Sequence, residues 1–329
     1  MMRNKIRWGL LSTANINRML IPAIRQSERG ELTAVASRNE ETAVTYANQW
    51  DIPQTFGSYQ EMLDSDAIDA IYNPLPNHLH AEWSIKAMRA GKHVLCEKPF
   101  ALSLEEVDEM TAVSQETGMV LAEAFMYRHH PQTKMIGKMV RNGRIGQISL
   151  VRATFNFMLT NPNNVRLVPE YGGGCLWDVG VYPVSFAQYI MGGPPQWVFG
   201  SQRLGETGVD VFFAAQMGYG DGRIAQISAS FSSPFHMMAE ILGTEGSLSV
   251  TRPFIKQDEG RVIYTPADGE PQEIAIPDEY LYLGEVEDMH NAILHGRSNY
   301  LTLTESRNHV KTVLALYESA QTQQTVHLT

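Results

Sequence analysis

The chain has 329 residues, 43% of them hydrophobic, which is more than one ordinary domain and enough material for two cores. Its formal net charge of −10 argues against nucleic acid or an anionic membrane surface as partner, since both call for clustered Lys and Arg. The 2 cysteines, Cys96 and Cys175, lie far apart, which excludes a disulfide framework or metal-finger spacing, and no metal is expected.

Met1–Lys5 run straight into an apolar strand, Ile6–Leu11, which leaves no room for a secretory leader. No apolar run is long enough to span a bilayer, so a cytoplasmic protein is expected. Helical periodicity follows over Ala14–Arg25, then a strand at Leu32–Ala36 and a helix at Glu40–Trp50. The alternation continues with strands at Gln54–Phe56, Ala70–Asn73, His93–Cys96 and Val120–Ala122, separated by helices at Ser58–Asp64, His80–Ala90 and Ser103–Thr117. Such alternation predicts an α/β Rossmann domain, a parallel doubly wound sheet, over residues 1–123.

From 124 to 329 the rhythm changes. A helix at Pro131–Asn142 leads into strands at Ile148–Phe157, Trp197–Leu204, Val209–Gly218, Arg223–Ser232, Ala239–Gly243 and Ser247–Thr251, several joined by Gly-rich turns. Helices are expected at Asp178–Met191, Tyr282–His295 and Thr304–Thr322, and a hairpin excursion within Phe254–Glu279. This half reads as α+β with a large, mostly antiparallel open sheet, serving substrate binding and oligomerisation.

Candidate cofactor residues lie where strands of the first half end. Ser12, Thr13, Ala14, Asn15 and Ile16 occupy the turn from first strand to first helix, with Ser12, Ala14 and Asn17 where a dinucleotide fingerprint has glycines. Small side chains and helix-start N–H groups still suit a pyrophosphate there, although a plain tight turn would look the same. Ser37 and Arg38 end the second strand. An Arg with a Ser suits a 2′-phosphate where NAD-preferring sheets place a carboxylate, so NADP(H) is preferred and NAD(H) is the alternative.

Pro74, Leu75, Asn77 and His78 form a stiff loop after the next strand, suited to pack beside a nicotinamide ring. His78 and His80 are expected to cap or bond that loop, not to bind metal. Glu97, Lys98 and Pro99 end the strand after it, a position at which a lysine ammonium can reach a substrate oxygen.

Together, Ser12–Ile16, Ser37–Arg38, Asn73–His78, Gly91–Pro99, Glu123–Arg128 and Gly172–Pro183 resemble the Gfo/Idh/MocA oxidoreductases, over nearly the whole chain and in that family's order. The resemblance implies that Lys98 is catalytic, that the Lys98–Pro99 bond is cis, and that Asp178 belongs to the site. The family's usual His, four residues after that Asp, is here Tyr182. This departure resembles the branch with NADP-dependent D-xylose 1-dehydrogenases and dimeric dihydrodiol dehydrogenases.

The implied chemistry is hydride transfer between nicotinamide and a sugar or polyol carbon. Tyr182 or Lys98 would take the hydroxyl proton as general base, the ammonium favouring the phenolate, and Asp178 would orient sugar hydroxyls or hold Tyr182. Lys98 and Tyr182 are thus expected to converge on one substrate oxygen. Arg128, Phe157 and Trp177 would line the sugar site, although core packing explains them almost as well. The expected function is an aldose (D-xylose-like) 1-dehydrogenase. Alternatives are a keto-sugar reductase, 3-keto or nucleotide-linked, and a non-catalytic NADP(H) sensor. A homodimer or homotetramer through the second sheet is also implied.

Overall fold

The computed structural model describes residues 5–255 and 259–328. The lead-in Met1–Asn4, residues 256–258 of the expected excursion, and Thr329 lie outside the described residues. Two compact units emerge, Met1–His129 with Tyr282–Ser306, and His130–Leu281 with Arg307–Thr329.

In the first unit, β1 (Ile6–Leu11), β2 (Gly30–Ala36), β3 (Gln54–Phe56), β4 (Ala70–Asn73), β5 (His93–Glu97) and β6 (Leu121–Ala124) form a 6-stranded sheet in the order β3-β2-β1-β4-β5-β6. Every pairing is parallel. Helices α1 (Asn17–Gln26), α2 (Glu40–Trp50), α3 (Tyr59–Asp64), α4 (His80–Arg89) and α5 (Leu104–Thr117) connect the strands, and α6 (Met126–His129) ends the run. Local chemistry sets their ends. Asn39, Ser58 and Ser103 cap α2, α3 and α5 by accepting a backbone N–H in the first turn, and Gly118 closes α5 with φ +70°.

The chain is expected to divide once, after residue 123, whereas Tyr282–Ser306 packs with the first unit. Its helix α9 (Leu283–His295) is held by side chains far away in sequence. Trp8 Nε1 donates to His290 Nε2 at 2.9 Å, and Arg29 pairs with Glu287. Such a return of the chain leaves no local signal.

In the second unit, β7 (Ile148–Met158), β8 (Trp197–Leu204), β9 (Asp210–Gly218), β10 (Ile224–Ser230), β11 (Ser232–Gly243), β12 (Gly246–Val250), β13 (Val262–Pro266), β14 (Gln272–Glu273) and β15 (Val326–His327) form a 9-stranded sheet. Its order is β14-β13-β12-β11-β7-β10-β9-β8-β15, antiparallel except for the central β7–β10 pair. The expected excursion contains the β13–β14 hairpin. β11 begins at Ser232, well before the expected Ala239, and Ser232, Ser233 and Pro234 hide its start in the sequence.

One face buries Val151, Ala153, Phe155, Ile227 and Ala229, and α8 (Val181–Met191) covers it. The other carries polar cross-strand pairs, among them Arg152–Glu240 at 3.2 Å and Thr154–Ser228 at 2.7 Å. α7 (Pro131–Arg141) precedes the sheet, and the long α10 (Leu303–Thr322) docks on α8 through Gln188 Nε2, which donates to Thr312 Oγ1 at 2.8 Å. Among the described residues no helix is long and apolar enough to cross a membrane, and no group of three or more His, Cys, Asp or Glu could hold a metal ion.

Candidate active site

Within the first unit, the predicted cofactor residues gather at the carboxyl edge of the sheet. The strand order reverses between β1 and β4, which makes the crevice beyond them the expected ligand position. Ser12 follows β1 with φ +134°, a conformation that glycine adopts without cost, and its Oγ accepts from the Ala14 N–H at 3.2 Å. Asn17 Nδ2 donates to the Ser12 carbonyl at 2.8 Å, so the two non-glycine residues brace the turn.

α1 starts without a side-chain cap and with no acidic residue in its first turn. That start fits an anion such as a pyrophosphate. Thr13 also lines an open cavity of about 350 Å³ with Glu41, Thr42, Thr45, Tyr46 and Gln49. Ser37 Oγ accepts from the Asn39 N–H at 3.3 Å, and Arg38 follows at the exposed start of α2, beside the Tyr59 hydroxyl. These residues fit a phosphorylated dinucleotide.

The loops after β4 and β5 are tied into one support. Asn73 Nδ2 donates to the His80 carbonyl and to Ser84 Oγ, both at 3.1 Å. The His80 ring lies between two carbonyls, with Nδ1 2.8 Å from Pro99 O and Nε2 2.7 Å from Leu75 O. His80 thus bonds the loop, the role read from sequence. Burial pushes its pKa down to about 4, against the two carbonyls, which favour the protonated ring. His78 and Asn77 sit in a short 3₁₀ turn beside it. The Lys98–Pro99 bond is cis.

Glu97, half-buried, accepts from the Tyr72 hydroxyl. Its pKa is raised by burial and drawn back by the Lys98 ammonium. Arg128 is 1% exposed and pairs with Glu305 at 2.8 Å, so its charge is already engaged.

In the second unit, the expected helix from Asp178 differs from the one observed. Leu176–Gly180 form a π turn, and α8 begins only at Val181. Asp178 lies on the π turn and Tyr182 on the first turn of α8, so the one-turn spacing expected of a single α-helix is not what relates them. Gly173 and Gly174 make the turn fit. A Cβ on Gly173 would lie 2.6 Å from the Arg166 carbonyl, and one on Gly174 only 2.0 Å from Asp210 Oδ1.

Tyr182 is 5% exposed, its ring 5.4 Å from Phe155 and 5.5 Å from Phe254. Trp177 packs at 5.8 Å on Tyr317, and Phe157 edge-on to Phe231 at 5.2 Å. Asp178 accepts from Arg166 Nε at 2.6 Å.

Arg166, Asp210, Tyr317 and Glu285 were not singled out from sequence. Asp210 carried one signal, as the only carboxylate in the apolar run Val209–Ala215. Arg166, in a polar loop, carried none.

Residues 6–125 match the family profile described as "Oxidoreductase family, NAD-binding Rossmann fold", and 133–249 match "GFO/IDH/MocA C-terminal domain". Among curated proteins, the chain is 34% identical to an uncharacterized oxidoreductase of Rhizobium meliloti, covering 96% of this chain and 97% of the other. It is also 34% identical to a D-xylose 1-dehydrogenase (NADP(+)) of Haloferax volcanii, covering 98% and 99%. Among solved structures, it superposes with a TM-score of 0.90 on a 3-ketoreductase from Actinomadura kijaniata in complex with NADP and TDP-benzene, at 30% identity over 96% of this chain and 98% of that one. The same enzyme has been solved as a Tyr→Phe and as a Lys→Ala variant. The chain belongs to the Gfo/Idh/MocA family of oxidoreductases.

Proposed function

We propose that this protein is an NADP(H)-dependent oxidoreductase of a sugar or polyol, with aldose 1-dehydrogenation, on a D-xylose-like substrate, as its reaction. The observation that carries the reading is the lysine at the end of β5, on a turn braced through Pro99 and His80 to the loop after β4. A lysine held there suits a group that must meet a substrate oxygen repeatedly in one geometry. The D-xylose dehydrogenase relative, similar along nearly the full length of both chains, supports the substrate class and NADP.

Lys98 and Tyr182 are the proposed proton-transfer pair. The lysine and tyrosine altered in the 3-ketoreductase variants are separated by the same number of residues as Lys98 and Tyr182, which supports the choice. In oxidation Tyr182 takes the hydroxyl proton, Lys98 stabilises the developing alkoxide, and in reduction the proton returns by the same route. Asp178 accepts from sugar hydroxyls, with Phe157 and Trp177 as ring surfaces. Arg128, paired with Glu305, has less to offer a ligand. Bound nicotinamide supplies the hydride acceptor or donor. Ser12–Ile16 would hold the dinucleotide's pyrophosphate, Ser37 and Arg38 its 2′-phosphate, and Pro74, Leu75, Asn77, His78 and Glu97 its nicotinamide end.

A second reading, reduction of a keto-sugar, is favoured by relatives named dTDP-3,4-didehydro-2,6-dideoxy-α-D-glucose 3-reductase, one of them 35% identical over 76% of this chain. Self-association through the open face of the second sheet and a cytoplasmic setting belong to the same proposal. Light scattering tests the first.

The deciding experiment follows nicotinamide absorbance with NADP⁺ and NAD⁺ against a panel of aldoses, and with NADPH against ketoses. Reduction of NADP⁺ by pentoses or hexoses is expected. Turnover only with ketoses moves the assignment to the second reading, and no turnover with any sugar defeats both. Arg38→Asp is expected to weaken NADP(H) binding by at least about tenfold, the worth of a charge-assisted phosphate contact, and unchanged affinity removes Arg38 from that role.

A further inference from the structure

We propose that Asp210 is a positioning residue. Its buried carboxylate fixes the start of the π turn and, through that turn, the carboxylate of Asp178. The inference rests on the reading above that Asp178 serves the substrate.

Asp210 opens β9 between two valines and is 2% exposed. Three donors from two other segments converge on it. Oδ2 accepts from the Leu176 N–H at 2.8 Å and from the Cys175 thiol at 3.0 Å. Oδ1 accepts from the Tyr317 hydroxyl at 2.7 Å. The backbone runs directly over the same carboxylate at Gly174, where φ is +123° and a Cβ would strike Oδ1. Tyr317 closes the loop, because the ring whose hydroxyl reaches Asp210 also supports Trp177.

One carboxylate therefore restrains the backbone just before Trp177 and the ring beneath it. Asp178 is the next residue. A buried aspartate in an apolar strand is costly unless its oxygens are satisfied, and the sheet alone would be served as well by valine. What aspartate adds is a set of directed bonds to a single turn. A π turn is a rare, poorly self-supporting element, and a support outside its own ladder is what such an element needs. Burial pushes the Asp210 pKa up, and the three hydrogen bonds oppose that shift by favouring the ionised form.

The test is a double-mutant cycle in the full chain, read as KM and kcat for the sugar and Kd for NADPH. Asp210→Asn keeps the size of the side chain but replaces one acceptor oxygen by a donor. We expect sugar KM to rise about tenfold while NADPH Kd stays within about twofold, a split that general destabilisation would not give. In an Asp178→Asn background, the added change should cost less than about twofold, because its effect acts through a group already removed.

Full additivity of the two changes, or wild-type KM and kcat in folded Asp210→Asn, overturns the positioning role while leaving the site reading intact. Unimpaired turnover in Asp178→Asn overturns both. Should Asp210→Asn not fold, Tyr317→Phe enters the same cycle. It removes one donor and keeps the ring on Trp177, with the same expectation at smaller size and the same result, additivity, against it.

Discussion

Arg166 Nε lies 2.6 Å from Asp178 Oδ2, so the carboxylate proposed to meet sugar hydroxyls already has a cationic partner on the preceding loop. The arginine is half-exposed and Asp178 mostly buried, which makes the loop residue the adjustable half of the pair. Under the proposed reading, this pair fixes the orientation in which Asp178 meets the sugar. Arg166→Gln is expected to raise sugar KM by about three- to tenfold with a smaller change in kcat, as suits an exposed charge-assisted contact. Steady-state kinetics with the best substrate of the panel check this, and an unchanged KM would sink it.

Lys98→Ala and Tyr182→Phe are each expected to lower turnover by roughly 10²-fold or more, the scale of general acid–base help. The tyrosine change should leave the protein folded, because the ring keeps its contacts with Phe155 and Phe254. Full activity in either variant removes that residue from the proposed pair.

His290 accepts from Trp8 Nε1 and faces Ser27 Oγ, and burial holds its pKa down to about 4, with Glu287 and Arg29 as the nearby charges. An unfolded histidine titrates near 6.5, so below that pH the unfolded chain binds the extra proton and the folded one does not. The stability contributed is full above 6.5 and is lost as pH falls toward 4, up to about 3 kcal/mol by the size of the shift. Urea midpoints across that window should fall in the wild type and flatten in His290→Asn.

Glu285 has the opposite sign. Its carboxyl is 1% exposed, neither oxygen has a hydrogen-bond partner among the described residues, and burial, followed by the nearby Glu97 charge, holds its pKa well above 4.5. The folded chain keeps a proton that the unfolded chain releases. Stability is therefore greatest below the ordinary carboxylate range and falls as pH rises above it. Glu285→Gln, uncharged at every pH, should melt no lower than the wild type at pH 5 and higher at pH 8. A lower melting temperature at pH 8 would show that the charged form is needed.

The alternating first unit was readable because its strands are short apolar runs and three helix starts, at Asn39, Ser58 and Ser103, carry their own caps. Lys98 could be placed at a strand end for the same reason. What failed to show depends on partners distant in sequence. Tyr282–Ser306 joins the first unit through contacts with Trp8, Ser27 and Arg29 that no local pattern encodes. The π turn hides behind ordinary helical composition over Leu176–Gly180. Arg166 meets Asp178 only because the loop folds back, and nothing in a stretch of Asn and Pro marks its one arginine.

Both rims of the nine-stranded sheet are strands of two residues, Gln272–Glu273 at one side and Val326–His327 at the other. A rim that short offers too little unpaired backbone to template lateral addition of another chain, and at Glu273 it also carries a charge, paired with Arg261. So broad a sheet would otherwise be a hazard for fibril growth. The proposed self-association would then fall to the polar face, where side chains and not backbone groups choose the partner.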